Sequence, residues 1–298
     1  MTQRFYSNGK LLLTGEYVVL DGATALAIPT KKGQSLQVTP NDSGSIHWKS
    51  FDHQGKVWYT DRFTLEVLKE PIDPLTKTLW TLLQKARALN PDFLNSDLGF
   101  EVEAHLDFAR DWGLGSSSTL INNIAQWAEV DPYKLLAETF GGSGYDIAAA
   151  QHDAPILYEK CNGAPTIREI TLPWDFTASL FFVHRNNKQN SRDGIQRYQN
   201  NPATKQQISQ LSDISNKMLL CYTLSDFEAL LRAHEAHISN IIQLPPIKDE
   251  LFSDYTGCVK SLGAWGGDFI LATGDPSKYR YFQQKGYDTI LPFEEMIL

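Results

Sequence analysis

The chain has 298 residues, 42% hydrophobic and 21% charged, and its 27 basic and 35 acidic side chains leave a formal charge of −8. That composition is globular, and its acidity argues against a nucleic-acid or anionic-membrane binder, because those partners repel it at long range. No apolar run approaches the ~20 residues a bilayer span needs.

In chain order, residues 10–19 are nearly continuously apolar and read as a strand, with Leu11-Leu12-Leu13 too short for a signal-peptide core, so a cytoplasmic location is expected. Short strands bounded by Gly, Asn, Asp or Pro are predicted at 35–38, 45–50 and 56–59. Leu79, Leu82, Leu83 and Ala86 set a helical stripe over 76–89. Residues 100–106 alternate Phe100, Val102, Ala104 and Leu106 with polar side chains, a half-buried strand. Helices follow from Leu120 to Ala128 and over 133–140, the second capped by Asp131-Pro132. Strands at 167–172 and 179–184 precede two amphipathic helices, 202–222 and 225–244. A strand at 269–273, a helix at 277–285 and a short strand near Ile290 complete the chain. Two lobes of roughly 150 residues are expected at this length, with the boundary near 163–173. Cys161, Cys221 and Cys258 form no CxxC pair and read as reduced core thiols.

Three glycine-rich segments carry the chemistry. Trp112-Gly113-Leu114-Gly115-Ser116-Ser117-Ser118 lies between a predicted strand and helix. Glycines let successive N–H groups turn inward, and the helix start adds about half a positive charge, which suits phosphate. The same residues also read as an ordinary turn with a serine cap. The loop is neither a Walker A sequence nor a complete dinucleotide fingerprint. Gly141-Gly142-Ser143-Gly144-Tyr145-Asp146 puts one acid ahead of Ile147-Ala148-Ala149-Ala150. Asp146 is there either to act on an acceptor or to cap the helix. Lys260-Ser261-Leu262-Gly263-Ala264-Trp265-Gly266-Gly267-Asp268 is a third turn, which alone reads as a surface loop.

Taken in order, these segments resemble a known family. Gly9-Lys10-Leu11-Leu12-Leu13-Thr14-Gly15-Glu16-Tyr17 looks like the first motif of the GHMP kinases. Gly113 to Ser118 is similar to their phosphate-binding second motif, and Lys260 to Asp268 to their third. Gly142 to Ala150 is most similar to a stretch of the phosphomevalonate kinases within that family. The resemblance implies an α+β, two-lobed GHMP kinase fold. Residues 1–165 would form an N-terminal ATP-binding α/β lobe with a left-handed βαβ crossover, and residues 166–298 a ferredoxin-like lobe. It further implies a Mg²⁺-ATP-dependent kinase acting on a small-molecule acceptor, phosphomevalonate or mevalonate in isoprenoid-precursor synthesis. Lys10 and Asp146 would be the catalytic pair. Gly113, Leu114, Gly115, Ser116, Ser117 and Ser118 would cradle the ATP phosphates, with Ser117 as a Mg²⁺ ligand. Gly263, Gly266 and Gly267 would shape the acceptor side. The alternatives are a homoserine- or sugar-type kinase, diphosphomevalonate decarboxylase, or a non-catalytic nucleotide- or metabolite-binding protein of this fold.

The sequence departs from the family in four places. Ser7-Asn8 replaces the proline usual before Lys10, Phe108 to Trp112 lacks another, and Trp265 stands where a small residue is usual and would narrow the acceptor pocket. The stretch from Ser117 to Asp146 is shorter than in mevalonate kinases, which leaves Glu138 as the candidate for a second metal ligand. His184 to Arg192 is locally basic. It reads either as a solvated loop or as an anion-binding segment in which Lys188, Ser191 and Arg192 grip a carboxylate or phosphate. His234 lies on an apolar helix stripe and is expected to pack. Trp48, Trp58, Trp80, Trp127 and Trp174 are expected in the core, and Glu16 and Asp21 to shape the first motif's turn or, for Glu16, to touch the acceptor. Neither a nucleic acid nor a membrane is expected as a partner, and a homodimer is left open.

Overall fold

The structure, a computed structural model, describes the whole chain apart from residues 66–70, 163, 188–190, 264 and 266 and the side chains of Ser191 and Arg192. The fold is mixed α/β. It separates into two compact units: residues 1–9, 32–110 and 115–151, and residues 10–31, 111–114 and 152–298. Both are discontinuous in sequence. The reason lies in two long strands, β1 (Gln3–Thr14) and β2 (Ala25–Asn41), each of which contributes one half to each unit.

In the first unit, the outer half of β2 pairs antiparallel with β5 (Gly99–Leu106). β5 pairs parallel with β3 (Ile46–Phe51), which pairs antiparallel with β4 (Val57–Phe63). The period-two pattern fixes the register, with Leu36 opposite Ala104 and Val38 opposite Val102, so one face is uniformly apolar. On that face pack α1 (Pro74–Leu89), α2 (Ser116–Ala128), α3 (Pro132–Thr139) and α4 (Tyr145–Ala150). Their buried Leu82, Leu83, Ile121, Ile124, Leu135 and Ile147 close over Trp48 and Val102. Asp73 and Asp131 cap α1 and α3, each followed by Pro at the first helical position.

In the second unit, Ala25–Ala27 pairs with β6 (Ile156–Glu159), which pairs with β7 (Thr166–Glu169). A separate antiparallel sheet has the order β11-β8-β10-β9, where β8 is Leu180–His184, β9 Val259–Ser261, β10 Phe269–Thr273 and β11 Ile290–Pro292. The helices of this unit are α5 (Ser191–Asn200), α6 (Lys205–Met218), α7 (Leu224–Ile242), α8 (Ile247–Leu251), α9 (Tyr279–Gln284) and α10 (Phe293–Met296). Phe181, Val183, Phe252, Ile270 and Phe282 form an apolar core there.

Several sequence readings change. The first strand begins at Gln3, not Lys10, and ends at Thr14 before a 3-10 turn over Val18–Asp21. Ser191 and Arg192, the end of the basic segment, open helix α5 (Ser191–Asn200). The cap of α7 is Thr223, whose hydroxyl accepts the Asp226 N–H. Cys221 and Cys258 are buried as expected, but Cys161 is exposed. Trp48, Trp127 and Trp174 are buried, whereas Trp58 is half-buried beneath the Arg110 guanidinium, 3.6 Å from the ring centre. Among the described residues no helix is long and apolar enough to cross a membrane.

Candidate active site

The second motif makes the turn its glycines allow. Gly113 and Gly115 have φ of 65° and 87°, and Gly115 is the left-handed N-cap of α2. No side chain caps that helix end. The first N–H groups of a helix have no partner within it, so they remain available to a ligand. Ser117 is exposed in the first turn, and Ser116 and Ser118 are half-buried beside it. One turn deeper, the Thr119 hydroxyl donates to Gln34 Oε1 at 2.6 Å, which fixes the start of α2 to β2.

The first motif meets this turn through Lys10. Its backbone N–H donates to Leu114 O at 3.1 Å and its ammonium to Gly113 O at 3.2 Å. Lys10 is 8% exposed, so the chain holds a nearly buried cation against the carbonyl of the phosphate-type turn. Nearby, Gly113 lies directly beneath the Asp268 carboxylate, and a Cβ there would overlap it. That contact was not read from the sequence, although Asp268 closes the third motif. Trp112 stacks edge-on to Phe269 and beside His184, whose Nε2 lies 3.2 Å from Asp111 O. These contacts brace the entrance of the turn on β8 and β10.

Ser7 and Asn8, which replace the proline, have a role of their own. The buried Ser7 hydroxyl donates to Asn123 Oδ1 at 2.7 Å and accepts from Asn122 Nδ2 at 2.9 Å, tying β1 to α2. A proline there would supply no such hydroxyl.

Asp146 lies in the first turn of α4, half-buried, and the N-cap is Gly144 at φ 91° with no side-chain cap. Asp146 is thus in the first turn of the helix and not at its N-cap position. The carboxylate sits where a helix start favours negative charge. Lys10 and Asp146 belong to different units. Glu138 on α3 is 3.4 Å from Lys85 and 41% exposed, a surface ion pair. Among the described residues no group of three or more His, Cys, Asp or Glu could hold a metal on its own.

In the third motif, Gly263 has φ 68° with open space where a Cβ would stand, and Gly267 is buried. Lys188 and Gly266 lie outside the described residues, as do the side chains of Ser191 and Arg192; the backbone of the last two opens α5. Trp265 is 6% exposed, with its indole donating to Pro245 O at 3.0 Å and its backbone N–H to Tyr17 Oη at 2.7 Å. Tyr17 itself takes a left-handed φ of 65°, and burial pushes its hydroxyl up to about 12. Its ring stacks on Tyr198, which donates to Asp21. Glu16 is 2% exposed and paired with Lys260.

No family model and no curated protein matches the sequence. Among solved structures, the chain is similar to the mevalonate kinase of Methanococcus jannaschii, at 15% identity over 98% of this chain and 97% of that one, with a TM-score of 0.71. It is similar to Lactococcus lactis galactokinase complexed with galactose, at 14% identity over 95% and 88%, TM-score 0.66. It is also similar to Streptococcus pneumoniae phosphomevalonate kinase in complex with phosphomevalonate and AMPPNP, at 16% identity over 96% and 95%, TM-score 0.61. The chain has the fold of the GHMP kinases.

Proposed function

We propose that the protein is a Mg²⁺-ATP-dependent small-molecule kinase of the GHMP type, with phosphomevalonate or mevalonate as acceptor. The observation that carries this reading is the Lys10 ammonium on the carbonyl of Gly113, in a turn whose glycines take left-handed backbone. Backbone N–H groups and a helix start fit a triphosphate, and the exposed Ser117 hydroxyl fits a Mg²⁺ that takes most of its ligands from phosphate and water. Bound Mg²⁺-ATP would supply the phosphoryl group.

Phosphoryl transfer depends on positioning and on neutralising charge spread over the phosphoryl oxygens. Lys10 offers those oxygens a cation held in place by its own backbone and side-chain bonds. Asp146 orients the acceptor. An alcohol needs help in losing its proton, whereas a phosphate monoester, with a second pKa of roughly 6, is already largely dianionic at pH 7 and needs cations instead. Neighbouring folds include kinases for both kinds of acceptor. Substituting Asp146→Asn tests the assignment: ATP binding by calorimetry should persist while acceptor-dependent ADP release falls at least 100-fold. A variant as active as the parent would remove Asp146 from the mechanism.

A further inference from the structure

Four ionisable side chains from three distant parts of the second unit meet in its interior. Glu16 follows β1, His234 and Glu235 are neighbours on α7, and Lys260 lies in β9. All are nearly inaccessible, with Lys260 and His234 at 0%, Glu16 at 2% and Glu235 at 3%. Lys260 donates to Glu16 Oε1 and, at 2.8 Å, to Ser261 O, and its Nζ stands 3.5 Å from Glu235 Oε1. His234 Nε2 accepts the Gly15 N–H at 2.9 Å, so this nitrogen carries no proton. Burial and the Lys260 charge also hold His234 well below its ordinary value.

Counting charge decides what the cluster must be. His234 is neutral and Lys260 is positive, so two ionised carboxylates would leave a net negative charge in the interior, which is costly. One proton therefore resides on a carboxyl. The ammonium closes on Glu16 Oε1 and stands off Glu235 Oε1 at 3.5 Å, while Glu16 Oε2 lies 3.1 Å from His234 Nε2. The groups that act on Glu235 are Lys260 and the Ser261 backbone of β9, which favour its charge, and Glu16 of the first-motif turn, which opposes it. Cys258, ahead of β9, feels the Glu235 charge in turn. The balance, dominated by burial, pushes Glu235 up to about 7.

We propose that Glu235 keeps its proton in the folded protein and is a positioning residue: through Lys260 it locks the Gly15–Tyr17 turn and the strand leading into the third motif onto α7. Neutral Glu235 lets Lys260 give its charge wholly to Glu16. An ionised Glu235 competes for the ammonium and loosens the Glu16 contact. The turn so held carries Tyr17, whose hydroxyl receives the Trp265 N–H, so the two kinase-like motifs share one buried anchor. The consequence for catalysis rests on the kinase reading, whereas the proton itself does not.

The test compares the full-length parent with Glu235→Gln, an isostere of the protonated acid. The parent's folded carboxyl binds its proton more tightly than the unfolded chain's, so parent stability is full below about pH 4.5 and is lost as pH rises towards 7. Across that window the melting midpoint of the parent should fall by roughly 5 °C relative to E235Q. The parent should also show a protonated-carboxyl carbonyl band in the infrared at pH 6 that E235Q lacks. A variant destabilised equally at every pH, or a band that persists in E235Q, would overturn the proposal, the latter by placing the proton on Glu16. If E235Q does not fold, Glu16→Gln takes its place: the band at pH 6 should persist in that variant, and its loss there, or its absence from the parent, would overturn the proposal. Where turnover is measurable, kcat/KM of the parent should decline above neutral pH and that of E235Q should not. Absence of turnover in both proteins would refute the kinase reading while the melting and infrared results stand separately.

Discussion

Gly113→Ala tests whether the phosphate-type turn is built as described. At φ 65° an alanine occupies the left-handed region, which costs about 1–2 kcal/mol for an L residue. Its methyl would also overlap the Asp268 carboxylate and lie 2.8 Å from the Asp268 Cβ, so the third-motif backbone as well as the side chain must move. Such overpacking costs about 1–3 kcal/mol. Gly141 supplies an internal control, because it has φ 66° and nothing within 4 Å of the position a Cβ would take. Gly141→Ala therefore carries the backbone cost alone. Thermal unfolding followed by circular dichroism should place G113A roughly 5–10 °C below the parent and clearly below G141A. ATP affinity should drop only in G113A, because Lys10 and the turn are displaced together. If the two variants melt alike, Asp268 does not pack on the turn and the account of its geometry fails.

Ser7→Ala should cost about 1–3 kcal/mol by stranding the buried amides of Asn122 and Asn123, read as a lower urea midpoint, with weaker ATP binding because α2 loses its tie to β1. A variant with an unchanged midpoint would mean that the hydroxyl replaces the family's proline to no structural effect. Lys260→Met should cost about 3–5 kcal/mol at pH 8 by leaving Glu16 and Glu235 without their cation. That loss should shrink as pH falls towards 5, because burial already raises both carboxyls and protonation removes the uncompensated charge. A pH-independent loss, followed by denaturant unfolding at the two pH values, would contradict the electrostatic account.

What could be read in the sequence was what is local. The alternation of Phe100, Val102, Ala104 and Leu106 fixes a strand face by itself, and the stripe of Leu79, Leu82, Leu83 and Ala86 fixes a helix face. The glycines at 113 and 115 announced left-handed backbone, which is where the structure has it. Helix α5 escaped because Ile195 and Tyr198 are its only large apolar residues, too few to set a period. β1 and β2 each serve both units, and no composition change marks the crossing points in the sequence. Long-range chemistry was least legible. His234 looked like a packed histidine on an apolar stripe, yet its partners are the backbone of Gly15 and the carboxyl of Glu16, more than 200 positions away. Nothing in the spacing of Glu16, Glu235 and Lys260 signals that they meet. A buried-type helix face carrying His-Glu in succession is the one available hint.

The central claim is that this chain transfers a phosphoryl group from ATP to a small acceptor. The most direct measurement is ADP release by the purified protein with Mg²⁺-ATP against mevalonate, phosphomevalonate, diphosphomevalonate, homoserine and galactose. The account predicts turnover that depends on mevalonate or phosphomevalonate and is lost in Asp146→Asn. ATP bound with no acceptor-dependent turnover across the panel would contradict it and leave a nucleotide-binding protein on a kinase fold.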